Sequence, residues 1–176
     1  DLRVNCHIRD NVAVLSLDLS GARMHRRSWR TGSPAAPMKE SLAAGILMLA
    51  GWPSVCKLNG DLVDPMCGGG TLLVEGAMIA HDVAPGLLRR RFGFENWLQH
   101  RQDLWREVVT EAKQRDTRGT KLPIQIVGSD ADPDAAKLAR DNLREAGFPE
   151  VVVYRRELSA VDPPGDRTGI LVVNPP

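Results

Sequence analysis

The amino-acid sequence predicts an α/β fold, a parallel doubly wound sheet preceded by a β-hairpin. Three features point that way. Residues 124–130, 151–154 and 169–173 are runs dominated by apolar side chains, as expected of strands covered on both faces. Segments with helical periodicity and capping residues alternate with them. A glycine-rich turn, Gly68-Gly69-Gly70, joins a short strand at Leu62-Val63 to a helix, the opening of a βαβ unit.

Residues 2–9 and 12–19 gather β-formers on either side of Arg9-Asp10-Asn11 and read as the hairpin, with Val12, Val14, Leu15 and Leu17 in its second arm. A basic stretch follows from Arg23 to Arg30, then a Gly/Ser/Pro loop. Pro37 is expected in the first turn of a helix, where its missing N–H costs nothing; Leu42, Ile46 and Leu49 form its apolar stripe and Gly51 ends it. After the glycine turn a second helix is expected to reach about His81, burying Leu72, Leu73, Ala77 and Ala80. Residues 82–123 are a long excursion with an Arg89-Arg90-Arg91 cluster, two Phe, two Trp and an amphipathic helix through Leu104, Trp105, Val108, Val109 and Ala112. Asp132-Pro133 reads as an N-cap with a first-turn proline, and Gly147 as the left-handed cap that closes that helix. Residues 159–168 are turn-rich, and the last strand leads into Asn174-Pro175-Pro176.

The 176 residues suffice for one domain with a sizeable core, and 43% apolar with 26% charged residues is a globular composition. A net charge of +1 gives no bulk pull toward nucleic acid, so any basic surface is local. Cys6, Cys56 and Cys67 are odd in number and form no CxxC pair, which suits a reducing, cytoplasmic compartment rather than a disulfide scaffold or a structural zinc site. The four histidines are scattered without metal-ligand spacing. No apolar run approaches the roughly 20 residues of a membrane span, and the start does not read as a signal peptide. The chain opens on Asp1 and stops at a strand-end motif, so both ends look cut from something larger.

Parallel sheets bind ligands at the carboxyl ends of their strands, near the point where strand order reverses. The candidate residues all fall at such ends. The glycines allow a tight turn and close approach of a ligand, with the positive end of the next helix beside it; on their own they fit equally a plain structural turn. There is no Gly-Lys-Ser/Thr, so the loop is not a phosphate-cradling P-loop. Asp64 just ahead of it repels phosphate and suits a cationic or amine-bearing ligand such as S-adenosyl-L-methionine, which carries a sulfonium and an ammonium. Asp130, at the next strand end, can accept from both ribose hydroxyls, although it lies much further from the glycines than the about 20 residues of a dinucleotide fold. Glu157 can accept from an adenine amino group or be a solvated loop residue. Asn174 offers an acceptor and donors, and the prolines fix the backbone so that a carbonyl can point at the same exocyclic amine.

The order Asp-Pro-Met-Cys-Gly-x-Gly-Thr (64–71), Gly-Ser-Asp-x-Asp (128–132) and Asn-Pro-Pro (174–176) resembles the S-adenosylmethionine-dependent, THUMP-linked RNA guanine-N2 methyltransferases, in particular their bacterial 23S ribosomal RNA branch. The likeness extends to Leu17-Asp18-Leu19-Ser20-Gly21, the Arg26–Arg30 stretch, Ala36-Pro37-Met38-Lys39-Glu40, Ala84-Pro85-Gly86 and the 92–97 segment. It implies a Rossmann-like class I methyltransferase fold, divided into a hairpin and basic linker (1–36) and the N-terminal part of the methyltransferase domain (37–176). It further implies a cofactor site built from Asp64, Pro65, Met66, Cys67, Gly68, Gly69, Gly70, Thr71, Asp130, Ala131, Glu157 and Leu158. Asn174, Pro175 and Pro176 are the implied catalytic motif, holding a guanine amine of ribosomal RNA. Three departures stand out: Gly69 where the family has Ser, Glu157 where it has Asp, and the aromatic residue after Pro176 and the preceding THUMP domain lying outside this chain.

Arg23, Arg26, Arg27 and Arg30 around Trp29 fit RNA phosphates with the indole stacked on a base or sugar, or equally a solvated basic loop; the same holds for residues 89–91. Cys67 reads as a small buried residue of the loop rather than a nucleophile. Two other functions are compatible with the sequence. One is a different Asn-Pro-Pro methyltransferase acting on adenine N6 in DNA or on a protein glutamine. The other is a non-catalytic cofactor- or RNA-binding fragment, since only four core strands are visible.

Overall fold

In the computed structural model, residues 3–32 and 37–175 are described. The hairpin is β1 (Arg3–Arg9) and β2 (Val12–Asp18), antiparallel, with Arg9 opposite Val12. Its two-residue turn places Asp10 and Asn11 at φ 50° and 59°, the left-handed pair of a type I′ turn that matches the twist of the strands. Alternation puts Val4, Cys6 and Ile8 on one face with their partners Leu17, Leu15 and Ala13. That apolar face is open: Ile8 and Leu15 are 70% and 72% exposed.

The body is a four-stranded parallel sheet in the order β5-β4-β3-β6, formed by β3 (Asp61–Asp64), β4 (Ile126–Asp130), β5 (Val152–Arg155) and β6 (Gly169–Leu171). Helices α1 (Glu40–Leu49), α2 (Trp52–Lys57), α3 (Thr71–Ala80) and α5 (Pro133–Ala146) pack together on one face, with α3 central; α4 (Gln102–Arg115) lies apart in the excursion. The core between helices and sheet is made by Leu47, Trp52, Leu62, Leu73, Val74, Leu143 and Phe148, each at most 1% exposed. Each such side chain contributes about 1.5–3 kcal/mol by burial. Trp52 also donates its Nε1–H to the Gly76 carbonyl at 2.8 Å, so its polar atom is satisfied inside the core.

Several expectations hold in detail. Asp132 caps α5 by accepting from the Asp134 N–H at 2.9 Å, Pro133 opens the helix, and Gly147 closes it at φ 89°. Others need correction. Pro37 lies outside α1, which begins at Glu40. The buried stripe of α1 is Glu40, Ala43 and Leu47, whereas Leu42 and Leu49 are 55% and 91% exposed. An ion pair described below draws Glu40 inward and so rotates the helix away from the purely apolar stripe. Helix α2, six residues long, is too short to leave a periodic signal in the sequence. Helices cover only one face of the sheet among the described residues, because the β5–β6 connection is a single 3-10 turn (Leu158–Ala160) and a loop broken by Pro163, Pro164 and Gly165 rather than a helix. On the other face Val152 and Tyr154 are both 42% exposed.

Candidate functional site

Strand order reverses between β3 and β6: the chain steps outward through β4 and β5, then returns to the far side of β3. A cleft of about 470 Å³ opens at the carboxyl ends there, lined by Met38, Asp64, Met66, Cys67, Gly68, Gly69, Thr71, Leu72, Asp130, Asp132, Ala135, Asn174 and Pro175.

The loop between β3 and α3 is shaped by its hydrogen bonds. The Cys67 N–H donates to the Ser129 carbonyl at 2.9 Å, which extends the β3–β4 pairing into the loop. The Gly70 N–H then closes a turn onto the Cys67 carbonyl at 2.8 Å. Gly68 and Gly70 sit at φ 51° and 77°, a region other residues enter only with strain. Gly70 is also required by packing: a Cβ there would stand 3.0 Å from the Ala139 Cβ. Asn142, fully buried on α5, donates to the Gly69 carbonyl at 2.8 Å and accepts from the Thr31 N–H at 2.8 Å. One amide thus ties loop, helix and linker together.

The two strand-end acids behave differently. Asp130 accepts from the Gly68 N–H at 2.8 Å through one oxygen and from the Asp132 N–H at 3.0 Å through the other, so it clamps the glycine loop to β4. Asp64 is 1% exposed and, among the described residues, accepts only the long 3.3 Å bond from the Met66 N–H. Burial, reinforced by the Asp130 charge, pushes its carboxyl up to about 7. Burial likewise raises the Cys67 thiol, with the two aspartates adding to the effect, so the thiol stays protonated and its nucleophilic form is suppressed.

The fold gathers Asp64, Met66, Cys67, Gly68, Gly69, Thr71, Asp130, Asn174 and Pro175 from the expected residues, and Asn174 is exposed within the cleft. Pro65 and Gly70 stand behind the lining; Pro65 accepts from the Ser129 hydroxyl at 3.3 Å. Ala131, Glu157 and Leu158 are exposed and lie outside the lining. Pro176 falls outside the described residues. Met38, Leu72, Asp132 and Ala135 complete the wall, and the sequence does not mark them as ligand-lining. The only prior signal was the 36–40 segment for Met38 and the capping pattern for Asp132.

The basic stretch is the main correction. Trp29 is 2% exposed in the core and cannot stack on a base. Arg27 is buried and paired with Glu75, itself 1% exposed, at 3.1 Å. Arg30 pairs with Glu40 at 3.1 Å and donates to the Met38 carbonyl and the Thr71 hydroxyl. These three side chains hold the body together, and of the five expected RNA contacts only Arg23 and Arg26 are exposed. Arg89 is likewise structural: it donates to the carbonyls of Ser20, Ala22 and Arg23 and pins the linker after the hairpin.

A parallel sheet whose switch-point cleft holds a glycine loop, two strand-end acids and a strand-terminal Asn-Pro defines a methyltransferase-type α/β domain. Residues 27–176 match the family model for the RMKL-like methyltransferase domain, and the chain belongs to that family. It is 46% identical over 176 residues to the ribosomal RNA large subunit methyltransferase K/L of Methylococcus capsulatus, and 47% identical over 180 residues to that of Syntrophotalea carbinolica. All of this chain is covered in both cases, but only 24% and 25% of those relatives, so it spans about a quarter of their length. Among solved structures, SMU.472 in complex with SAH (S-adenosylhomocysteine) superposes with a TM-score of 0.86 at 32% identity, covering 99% of this chain and 44% of that one. A Listeria monocytogenes protein named as a predicted N6-adenine-specific DNA methylase gives 0.83 at 30% identity, again over 99% of this chain and 44% of its own.

Proposed function

We propose that this chain is the cofactor-binding and amine-holding part of an enzyme that methylates the exocyclic N2 of a guanine in large-subunit ribosomal RNA, with S-adenosyl-L-methionine as donor. The observation that carries the reading is the convergence of Asn174 and Pro175 with Asp64, Gly68 and Asp130 on one cleft. The relatives named as ribosomal RNA methyltransferases support the substrate, and the SAH-bound neighbour supports the donor.

The residues present fit that donor. Asp64 is desolvated and lacks a strong hydrogen-bond partner, so a cationic ligand relieves it. Asp130 keeps lone pairs free beside the glycine turn for ribose hydroxyls, and the exposed Ala131, Glu157 and Leu158 would face the adenine ring. When bound, the donor supplies a methyl group made electrophilic by its sulfonium. The protein's own contribution is positional. Asn174 and the Pro175 carbonyl hold the amine so that its lone pair faces the cleft and its nitrogen becomes tetrahedral, and orientation accounts for most of the lowered barrier. The target base has to be flipped out or unpaired to enter. The amine proton leaves to solvent after the new C–N bond forms.

In the full-length protein, Asn174→Ala should lose most turnover while binding of the donor is retained; unchanged turnover removes Asn174 from this role. Tritium transfer compared on 23S ribosomal RNA, DNA and a release factor identifies the acceptor. Label on DNA adenine would favour the second reading, which the Listeria neighbour's name supports.

A further inference from the structure

The acidic character of the cleft leaves one half of the donor without a counterpart. Every charged side chain lining it is an aspartate: Asp64, Asp130 and Asp132. These suit an ammonium, a sulfonium and hydroxyls. An amino-acid tail also carries a carboxylate, and no lysine, arginine or histidine lines the cleft among the described residues.

The cation nearest in bonding terms is Arg30, one layer behind the wall. Its Nη2 donates to the Thr71 Oγ1 at 3.2 Å and to the Met38 carbonyl at 3.1 Å, and both of those residues line the cleft. Its Nε donates to Glu40 at 3.1 Å. The remaining nitrogen, Nη1, is buried and has no hydrogen-bond partner among the described residues. Because the Thr71 hydroxyl accepts from Arg30, its own proton is free to point into the cleft. Thr71 is also the first residue of α3, whose N-cap Gly70 brings no side-chain cap, and a helix start leaves its first-turn N–H groups without intrahelical partners. A hydroxyl polarised by a guanidinium, beside an uncapped helix start, is a receptor for a carboxylate.

We infer that Arg30, acting through Thr71, is the positioning residue that selects the carboxylate end of the amino-acid tail of the cofactor. This gives the half-buried Arg30 a role at the methyl-donor site instead of at RNA, and it rests on the reading that the cleft holds S-adenosylmethionine. Arg30 is charged, fixed by Glu40 and Met38, and set where the three aspartates leave the wall without positive charge.

The test compares three ligands by calorimetry: S-adenosylhomocysteine, its decarboxylated analogue S-adenosyl-3-thiopropylamine, and 5′-methylthioadenosine, which lacks the whole tail. Arg30→Met is combined with Glu40→Gln so that no buried carboxylate is stranded. The double variant should bind S-adenosylhomocysteine about tenfold more weakly than the unaltered protein, the fold-change equivalent to about 1.4 kcal/mol, while the other two ligands change by less than about twofold. Arg30→Lys, which keeps the charge and loses the fork, should restore part of the preference for the carboxylate. Equal weakening of all three ligands would mean that Arg30 only holds the wall in shape, and would overturn the inference, as would no change for any. If the unaltered protein binds none of the three, the cofactor reading itself fails, an outcome seen before any variant is made.

Discussion

Asp64 should make cofactor binding strongly dependent on pH in the neutral range. Its carboxyl is raised to about 7 in the free protein, chiefly because burial disfavours the charge. A ligand bearing an ammonium favours the ionised form, so binding draws on the ionised fraction alone. With a value near 7, about 3% of the protein is ionised at pH 5.5 and about 76% at pH 7.5. Affinity for S-adenosylhomocysteine should therefore rise about 25-fold across that window, with a slope approaching tenfold per pH unit at the acidic end. Calorimetry at pH 6.5 in buffers of different ionisation enthalpy should show release of about three-quarters of a proton per ligand. Asp64→Asn keeps an acceptor for the Met66 N–H and should abolish both the slope and the proton release. An affinity that is flat between pH 5.5 and 7.5, or that falls, refutes the electrostatic account of Asp64.

The same residue has a stability signature of unusual sign. Its folded value lies above its unfolded value of 3.8, so between about pH 4 and 7 the folded state holds a proton that the unfolded chain has released. The ligand-free protein should lose stability as pH rises through that window, by at most about 4 kcal/mol, and Asp64→Asn should flatten the decline in chemical denaturation. Arg27→Met strands Glu75 as a buried carboxylate, which burial already pushes toward its neutral form; it should cost about 3–5 kcal/mol, and an effect below about 1 kcal/mol, the scale of an exposed ion pair, would contradict the burial. Trp29→Ala should cost about 3–5 kcal/mol from core loss, read by thermal melting; in the full-length protein a variant with unchanged melting but weakened RNA binding would reverse the assignment of this indole. Gly70→Ala combines a left-handed backbone with a 3.0 Å approach to Ala139 and should destabilise by roughly 1–3 kcal/mol, with the loss visible as a lower melting temperature.

Much of the architecture follows from local chemistry that any reader of the chain can apply. Asp132-Pro133 and Gly147 bracket α5 because a cap, a fixed φ and a left-handed terminus are properties of single residues. Asp10-Asn11 makes the hairpin turn for the same reason. The apolar runs became parallel strands, and their ends placed Asp64, Asp130 and Asn174 at one edge of the sheet. These signals survive folding because they depend on neighbours within about four residues.

What only the tertiary structure decided concerns partners far apart in sequence. The charge pattern from Arg26 to Arg30 has the form of a solvent-facing or RNA-facing stretch, and nothing nearby marks it otherwise. Glu75 and Glu40, delivered by two separate helices, make it favourable to take Arg27 inside with Trp29 and to hold Arg30 half-buried beside them. A buried charge is stable only where its counter-charge is already waiting, and the position of that counter-charge is a property of helix packing. The same packing turned α1 on its axis, exposing Leu42 and Leu49 in favour of Glu40. It also brought Met38, Thr71 and Arg30 to the back of the cleft, where a residue read from sequence as an RNA contact supports the cleft wall.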